Sequence, residues 1–447
     1  MRDTKMSAVL DVQQFIDEHP FSRYQWRILA ICFLIVAADG FDTAAIGFVA
    51  PALAREWAIS KVGLGPVLGA ALIGLAIGAF IAGPAADRIG RKKVLICSVA
   101  FFGVWTFAGV FASGIAELTA YRFLTGIGLG AALPNATTLL SEYVPARRRA
   151  LLLNVMFCGF TLGASAGGVL SAALIPDFGW RSIFLIGGVI PIALALALVA
   201  LPESIQFMVV RQWPAERIRA VLRRIADVPS VFASGFAVPG QAGAPAGSPV
   251  ALILSTRYRF GTLMLWLAYF MGLLVYYLLT SWMPTLVRDA GFTLRQAAIV
   301  TALFTAGGLI GAVGCGWLMD RINPYRVVAL AFVLLGLSVC AMGKGTDSVA
   351  SLSALTFVSG ICMTGAQMSM LALAALYYPI QGRASGVAWM LGMGRFGGIL
   401  GAFGGGVLMA AGYDMATIFT LLALPPLVAA IALFALAGRV SASQSLH

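Results

Sequence analysis

Apolar residues run through this chain in long blocks rather than in alternation. Twelve blocks can be marked, at 27–54, 63–86, 93–114, 117–142, 150–175, 181–201, 258–283, 295–319, 325–343, 349–378, 384–411 and 415–438. Each holds about 20 residues or more, enough for a helix rising 1.5 Å per residue to cross the ~30 Å hydrocarbon layer. A β-barrel would show short segments of alternating polarity instead. The pattern therefore predicts spans 1–12, all helical, with every backbone polar group satisfied inside its own segment.

The polar gaps divide the chain. The longest, 203–256, carries a basic stretch from Arg211 to Arg224 that predicts a helix along the membrane surface, then the Gly/Ala/Pro-rich piece VPGQAGAPAGSP that reads as linker. The expected organisation is a six-helix bundle over 1–202, a connecting region over 203–256 and a second six-helix bundle over 257–447. The two bundles repeat. Gly83-Pro-Ala-Ala-Asp87-Arg88-Ile89 is echoed by Gly316-Trp-Leu-Met-Asp320-Arg321-Ile322, an offset of 233 residues. Within one residue, the same offset relates Pro145 and Arg149 to Pro379 and Arg383. A parallel duplication of this size predicts two bundles related by a pseudo-two-fold axis.

Composition agrees: 60% of the 447 residues are hydrophobic and 11% charged, against about 25% charged in soluble domains. The net charge of +12 would suit nucleic acid, but its distribution points elsewhere. With the N-terminus placed inside, the inner loops and termini carry 22 of the 30 Lys and Arg, the outer loops 6 and the spans 2. By the positive-inside rule both termini are cytoplasmic, and no nucleic acid is needed to explain the charge. Residues 1–24 are polar and the first apolar run is too long for a signal peptide, so it reads as a permanent span. The six cysteines show no CxxC spacing, and the two histidines, His19 and His447, lie near the ends. No metal site, phosphate loop or His base is indicated, so neither an enzyme nor a cofactor is expected.

Two acids interrupt span 1. Asp39 and Asp42, three residues apart, share one helix face, and that face must meet protein or water because a carboxylate in lipid costs roughly 2.5–3.5 kcal/mol. Intramembrane acids mark ion or proton paths, the alternative being an acid locked to an Arg for packing.

Gly83-Pro-Ala-Ala-Asp87-Arg88-Ile-Gly90-Arg91-Lys92-Lys93 resembles the loop 2–3 signature of the major facilitator superfamily. Asp39-Gly40-Phe41-Asp42-Thr43-Ala44-Ala45 resembles the span 1 motif of its aromatic acid–proton symporters. Leu133 to Tyr143, Leu279-Thr280-Ser281-Trp282 and Trp389 to Gly397 agree, and the resemblance extends over nearly all of 11–440. Within that family it is nearest to bacterial 4-hydroxybenzoate/protocatechuate carriers. The resemblance implies proton-coupled uptake of an aromatic carboxylate by a monomer in the bacterial inner membrane, with membrane lipid around it and the proton as coupling ion. It also implies a cytoplasmic latch: Gly83, Asp87, Arg88, Gly90 and Arg91, with Asp87 capping span 11 near Ala384–Ser385 and Arg91 and Arg149 pairing with Glu142. The second copy, Asp320, Arg321 and Arg383, ends in Asn323-Pro324-Tyr325-Arg326 and should hold more weakly.

An aromatic acid needs a cation, a ring surface and a neutral polar group. Arg395, about mid-span, suits the carboxylate, or else pairs with a membrane acid. Arg122, near the outer end of span 4, has three readings: a partner for Asp42, an outer gate, or a snorkelling side chain. Asn135 and Gln367 could reach a ring hydroxyl or only join helices. Span 7 is rich in aromatics; Tyr276 and Tyr277 are the ring-stacking candidates, whereas Trp282 is expected in the interfacial belt. A proton-coupled exporter of lipophilic compounds and an aromatic-acid chemoreceptor are the competing functions.

Overall fold

The computed structural model of the protein describes residues 10–227, 236–237, 249–319, 321–344, 348–378 and 380–444. Among them, twelve helices are long and apolar enough to cross a bilayer, and the chain is a multi-pass membrane protein. They are α1 (Arg23–Glu56), α2 (Lys61–Ile89), α3 (Arg91–Ala108), α4 (Ile115–Tyr143), α5 (Arg149–Phe178) and α6 (Arg181–Leu198). After the connecting region come α7 (Arg259–Asp289), α8 (Leu294–Met319), α9 (Pro324–Gly343), α10 (Val349–Tyr377) and α11 (Ile380–Ala410). The last, α12, is broken. It runs over Met415–Leu422, pauses at Ala423 and resumes at Leu424. Pro425 and Pro426 explain the break, since neither can donate a backbone bond back into the preceding turn.

The helix starts follow local chemistry. Ser22 and Gln25 form a reciprocal capping box at α1, and Gln25 then donates to the Tyr143 carbonyl at 2.6 Å, tying the start of α1 to the end of α4. Asn323 caps α9, whose first residue is Pro324. The basic connecting region forms two short helices, Ile205–Val210 and Ala215–Leu222, rather than one; Gln212 at φ +52° and Pro214 separate them. Ile218 and Leu222 are buried in the first half. A two-residue parallel pairing of Leu10–Asp11 with Phe236–Ala237 is the one strand pairing among the described residues. The VPGQAGAPAGSP stretch lies outside them, apart from the backbone of Pro249.

The duplication is visible in the packing. In the first half α1 packs on α5, α2 and α3 on α4, and α3 on α6; in the second α7 packs on α11, α8 and α9 on α10, and α9 on α12. At the α2–α4 seam Gly74 and Gly78 face the carbonyls of Phe123 and Ile127, while Gly126 and Gly130 face those of Ala71 and Leu75. A Cβ at any of the four would overlap a carbonyl oxygen, so only glycine permits this approach.

Three seams join the halves: α1 with α7, α5 with α8, and α2 with α11. Their described contacts crowd the end of the bundle away from the termini. Gly47 lies against Thr280 and Ser281, Arg288 donates to the Pro51 carbonyl at 3.0 Å, and the Phe403 ring covers Gly69. Ser165 and Thr305 meet at 2.9 Å across α5 and α8. At the terminal face, by contrast, Gly83 and Gly316 have open space where a side chain would project. The described contacts between the halves thus lie mainly from mid-height to the end away from the termini.

Candidate functional site

The two acids of α1 are buried side by side but have different surroundings. Asp42 is 1% exposed and fully engaged. Arg122 Nη1 donates to its Oδ2 at 2.7 Å and Nη2 to its backbone carbonyl at 3.3 Å, and Thr106 donates to Oδ1 at 2.7 Å. Of the three readings for Arg122, pairing with Asp42 is the one realised. Both partners belong to the first half, and the pair closes a gap in the packing of α1, α3 and α4. One donor is left over, the buried Arg122 Nε.

Asp39 is 3% exposed and makes a single side-chain hydrogen bond, from Thr43 at 3.2 Å on its own helix. No cation lies within ion-pair distance of it among the described residues. Arg395, near the middle of the 31-residue α11, is close enough to interact with Asp39 through space, and so are Tyr276 and Tyr277 of α7. Arg395 also interacts with Tyr269 and Tyr277, and its Nη1 donates to the Leu75 carbonyl of α2 at 3.4 Å. Three helices from two halves therefore converge on one acid, one cation and three phenols. α11 begins at Ile380, four residues before the predicted start, and Arg395 stands at its middle, about where the sequence pattern placed it.

The other candidates divide. Tyr276 and Tyr277 stand edge to face, centroids 5.4 Å apart, both half-buried, and Tyr277 lines a narrow gap with Thr43, Leu75, Arg122, Leu129 and Ser281. Gln367 of α10 is 8% exposed, and among the described residues only the Tyr269 hydroxyl stands close enough to engage its amide, without good hydrogen-bond geometry. An unmet amide in a buried place is costly unless something else meets it. Asn135 is equally buried, but its Nδ2 donates to Ala131 within α4 at 2.8 Å, so it acts on its own helix. Trp282 departs from expectation. It is fully buried, seven residues before the end of α7, its ring over Gly405 and its Nε1 donating to the Ala402 carbonyl at 2.6 Å. It belongs to the α7–α11 seam and not to an interfacial belt. Sequence reasoning passed over Tyr269 and Thr106. Tyr269 was one aromatic among eight on span 7; Thr106 carries no signal until α3 is docked.

At the terminal face Gly90 takes φ +99° between α2 and α3, against the Glu203 carboxylate. That turn delivers Arg91, which donates to Glu142 Oε1 at 2.6 Å and to Ser204 Oγ at 2.7 Å. Ser204 bonds Glu142 Oε2 at 2.5 Å, and Lys92 N donates to Glu203 at 2.9 Å. The network ties α2, α3, α4 and the segment after α6 together. Arg149 takes no part: its Nε is buried without a partner, and the predicted pairing with Glu142 is not made. The Arg88 carbonyl accepts from Arg211 at 3.2 Å, and Arg321 lies 3.9 Å over the Trp317 ring. The side chains of Asp87 and Arg383, all of Asp320, and the side chains of Ala384 and Ser385 lie outside the described residues, so the cap expected between Asp87 and α11 does too.

The profile of the Major Facilitator Superfamily matches residues 32–313 and 265–446. The second match begins 233 residues after the first, the offset that relates Asp87 to Asp320. The 4-hydroxybenzoate transporter PcaK of Pseudomonas aeruginosa is 52% identical over 444 residues, covering 99% of both chains. The gallate transporter of Pseudomonas putida is 48% identical over 433 residues, covering 96% of both. Among solved structures, the inward-open xylose transporter XylE of E. coli matches with a TM-score of 0.71 at 18% identity, covering 91% of this chain and 95% of that one, a likeness of fold. With relatives this similar along its whole length, the chain belongs to the Major Facilitator Superfamily.

Proposed function

We propose that the protein carries an aromatic carboxylic acid, of the 4-hydroxybenzoate type, into the bacterial cytoplasm together with a proton, by alternating access between halves 1–202 and 257–447. The carrying observation is Asp39: a buried acid with no cation in contact, facing Arg395 across the seam between the halves. The names of the two relatives support the substrate class, since 4-hydroxybenzoate and gallate share a ring, a carboxylate and a para hydroxyl.

The residues divide the work. Arg395 meets the carboxylate with its planar fork of donors. Tyr276 and Tyr277 offer ring faces and edges. Gln367, buried with Tyr269 beside it, reads the ring hydroxyl. Asp39 takes a proton while the chamber is open to the outside. Its neutral form removes the negative charge that would repel the arriving anion, and Arg395 is released to the substrate. The halves then rock. The contacts at the end away from the termini close, and substrate and proton leave at the terminal face. The Lys and Arg surplus at that face makes it cytoplasmic, and the Arg91–Glu142–Ser204 network stiffens it in the first half. The protein works as a monomer, each chamber being built from one chain.

Accumulation of radiolabelled 4-hydroxybenzoate in energised right-side-out vesicles tests the reading. Asp39→Asn should abolish uphill uptake while leaving substrate exchange across the membrane. Undiminished, pH-dependent accumulation by that variant would reject Asp39 as the proton carrier, and expulsion in place of accumulation would reject import altogether.

A further inference from the structure

Away from the chamber, a half-open groove of ≈ 540 Å³ lies between the first turns of α1 and the turn that follows α6. Arg23, Arg27 and Arg224 line it, with Tyr24 beside them and Ile31 and Leu201 as an apolar floor. We propose that this groove binds one anionic phospholipid, its phosphate held by the three guanidinium groups and its acyl chains descending along α1 and α6. Arg23 is sixteen residues along α1 from Asp39, about 24 Å at 1.5 Å per residue, so the site is separate from the transport path.

Four observations point to this ligand. First, three cations converge from segments two hundred residues apart, and none of them enters an ion pair among the described residues. Second, Arg23 and Arg27 occupy the start of α1, the positive end of its dipole, where cations are misplaced unless an anion joins them. Third, Arg224 is held in position, 5.4 Å over the Tyr24 ring and bonded to its hydroxyl at 3.4 Å. Fourth, the groove sits at the ends of two spans, α1 and α6, the place a headgroup would occupy. Trp26 beside it is 55% exposed, as an interfacial anchor is, and Leu34, Leu196 and Val199 below expose apolar surface. A free phosphate would satisfy the cations but leave the floor of Ile31 and Leu201 unused. Basic pockets between membrane helices bind multiply charged headgroups in this way.

Native mass spectrometry of the full-length protein, released from nanodiscs holding equal parts of phosphatidylglycerol, cardiolipin and phosphatidylethanolamine, reads the site directly. Wild type should retain an anionic lipid. The triple variant Arg23→Gln/Arg27→Gln/Arg224→Gln should lose it by about a hundredfold. Arg257→Gln/Arg326→Gln/Arg439→Gln, which removes equal charge from the second half, should retain it. Ala200→Trp, which fills the rim and keeps every cation, should also lose it, and a monodisperse, heat-stable Ala200→Trp protein separates occupancy from folding. Equal loss in the two triple variants, no preference over phosphatidylethanolamine, or retention by Ala200→Trp would each overturn the proposal. Displacement of the lipid by millimolar inorganic phosphate would replace it with a free-anion site.

Discussion

Asp42 and Asp39 are one helical turn apart, almost equally buried, and yet differently partnered. Asp42 meets a guanidinium and a threonine of its own half, so its charge is neutralised whatever the other half does. Asp39 meets only Thr43 among the described residues, and Arg395, a cation that acts on it through space, belongs to the other half. The difference teaches where coupling can reside. An ion pair inside one rigid half is part of the scaffold. An acid and a cation divided by a moving seam feel each other more or less as the seam opens and closes.

The comparison can be broken in order of expected size. Asp39→Asn should remove all uphill uptake and flatten its dependence on external pH, while the thermal unfolding midpoint stays close to wild type. In the native carrier uptake should rise as external pH falls, because the loaded form needs Asp39 protonated. Asp42→Asn should do the reverse. It leaves Arg122 charged and alone in the interior, a loss of about 3–5 kcal/mol, seen as a lower unfolding temperature in detergent. The double change Asp42→Asn/Arg122→Gln should recover much of that stability, because no uncompensated charge remains. Arg395→Gln should raise the KM for 4-hydroxybenzoate strongly, by about 2–5 kcal/mol of lost pairing, without lowering the unfolding temperature comparably. Gln367→Leu sharpens the picture most finely. It should weaken 4-hydroxybenzoate against benzoate in a competition assay by about 1 kcal/mol, the worth of one hydrogen bond, and leave unhydroxylated acids unchanged.

How much of this was legible beforehand differs from element to element. The spans were, because a membrane helix announces itself by length and apolarity, and the starts at Ser22 and Asn323 add local caps. The duplication was legible through Asp87 and Asp320, and it reappears as matched helix pairings in the two halves. The broken α12 was half legible: Pro425 and Pro426 were in view, but the block around them is uniformly apolar. The fates of the charged residues were not legible. Whether Arg122 would pair, gate or snorkel depended on how α4 docks against α1, eighty residues away in sequence. Arg149 and Arg91 were equally plausible partners for Glu142 until the Gly90 turn aimed only Arg91 at it. Trp282 was misplaced because α7 continues to Asp289, which turns an expected rim residue into an interior one. Periodicity reports which face of a helix is apolar; it does not report which helix will cover that face.

One carbonyl links two of these regions. The Leu75 oxygen of α2 receives Gly130 of α4 at its back and Arg395 of α11 at its front. It is a fulcrum shared by the scaffold and the cation proposed to meet the substrate. Thickening the joint behind it, by as little as a methyl group at residue 130, should tilt the lever that presents the guanidinium. A side chain at this glycine would then surface twice, as a lower unfolding temperature from the spread α2–α4 seam and as altered taste among aromatic acids.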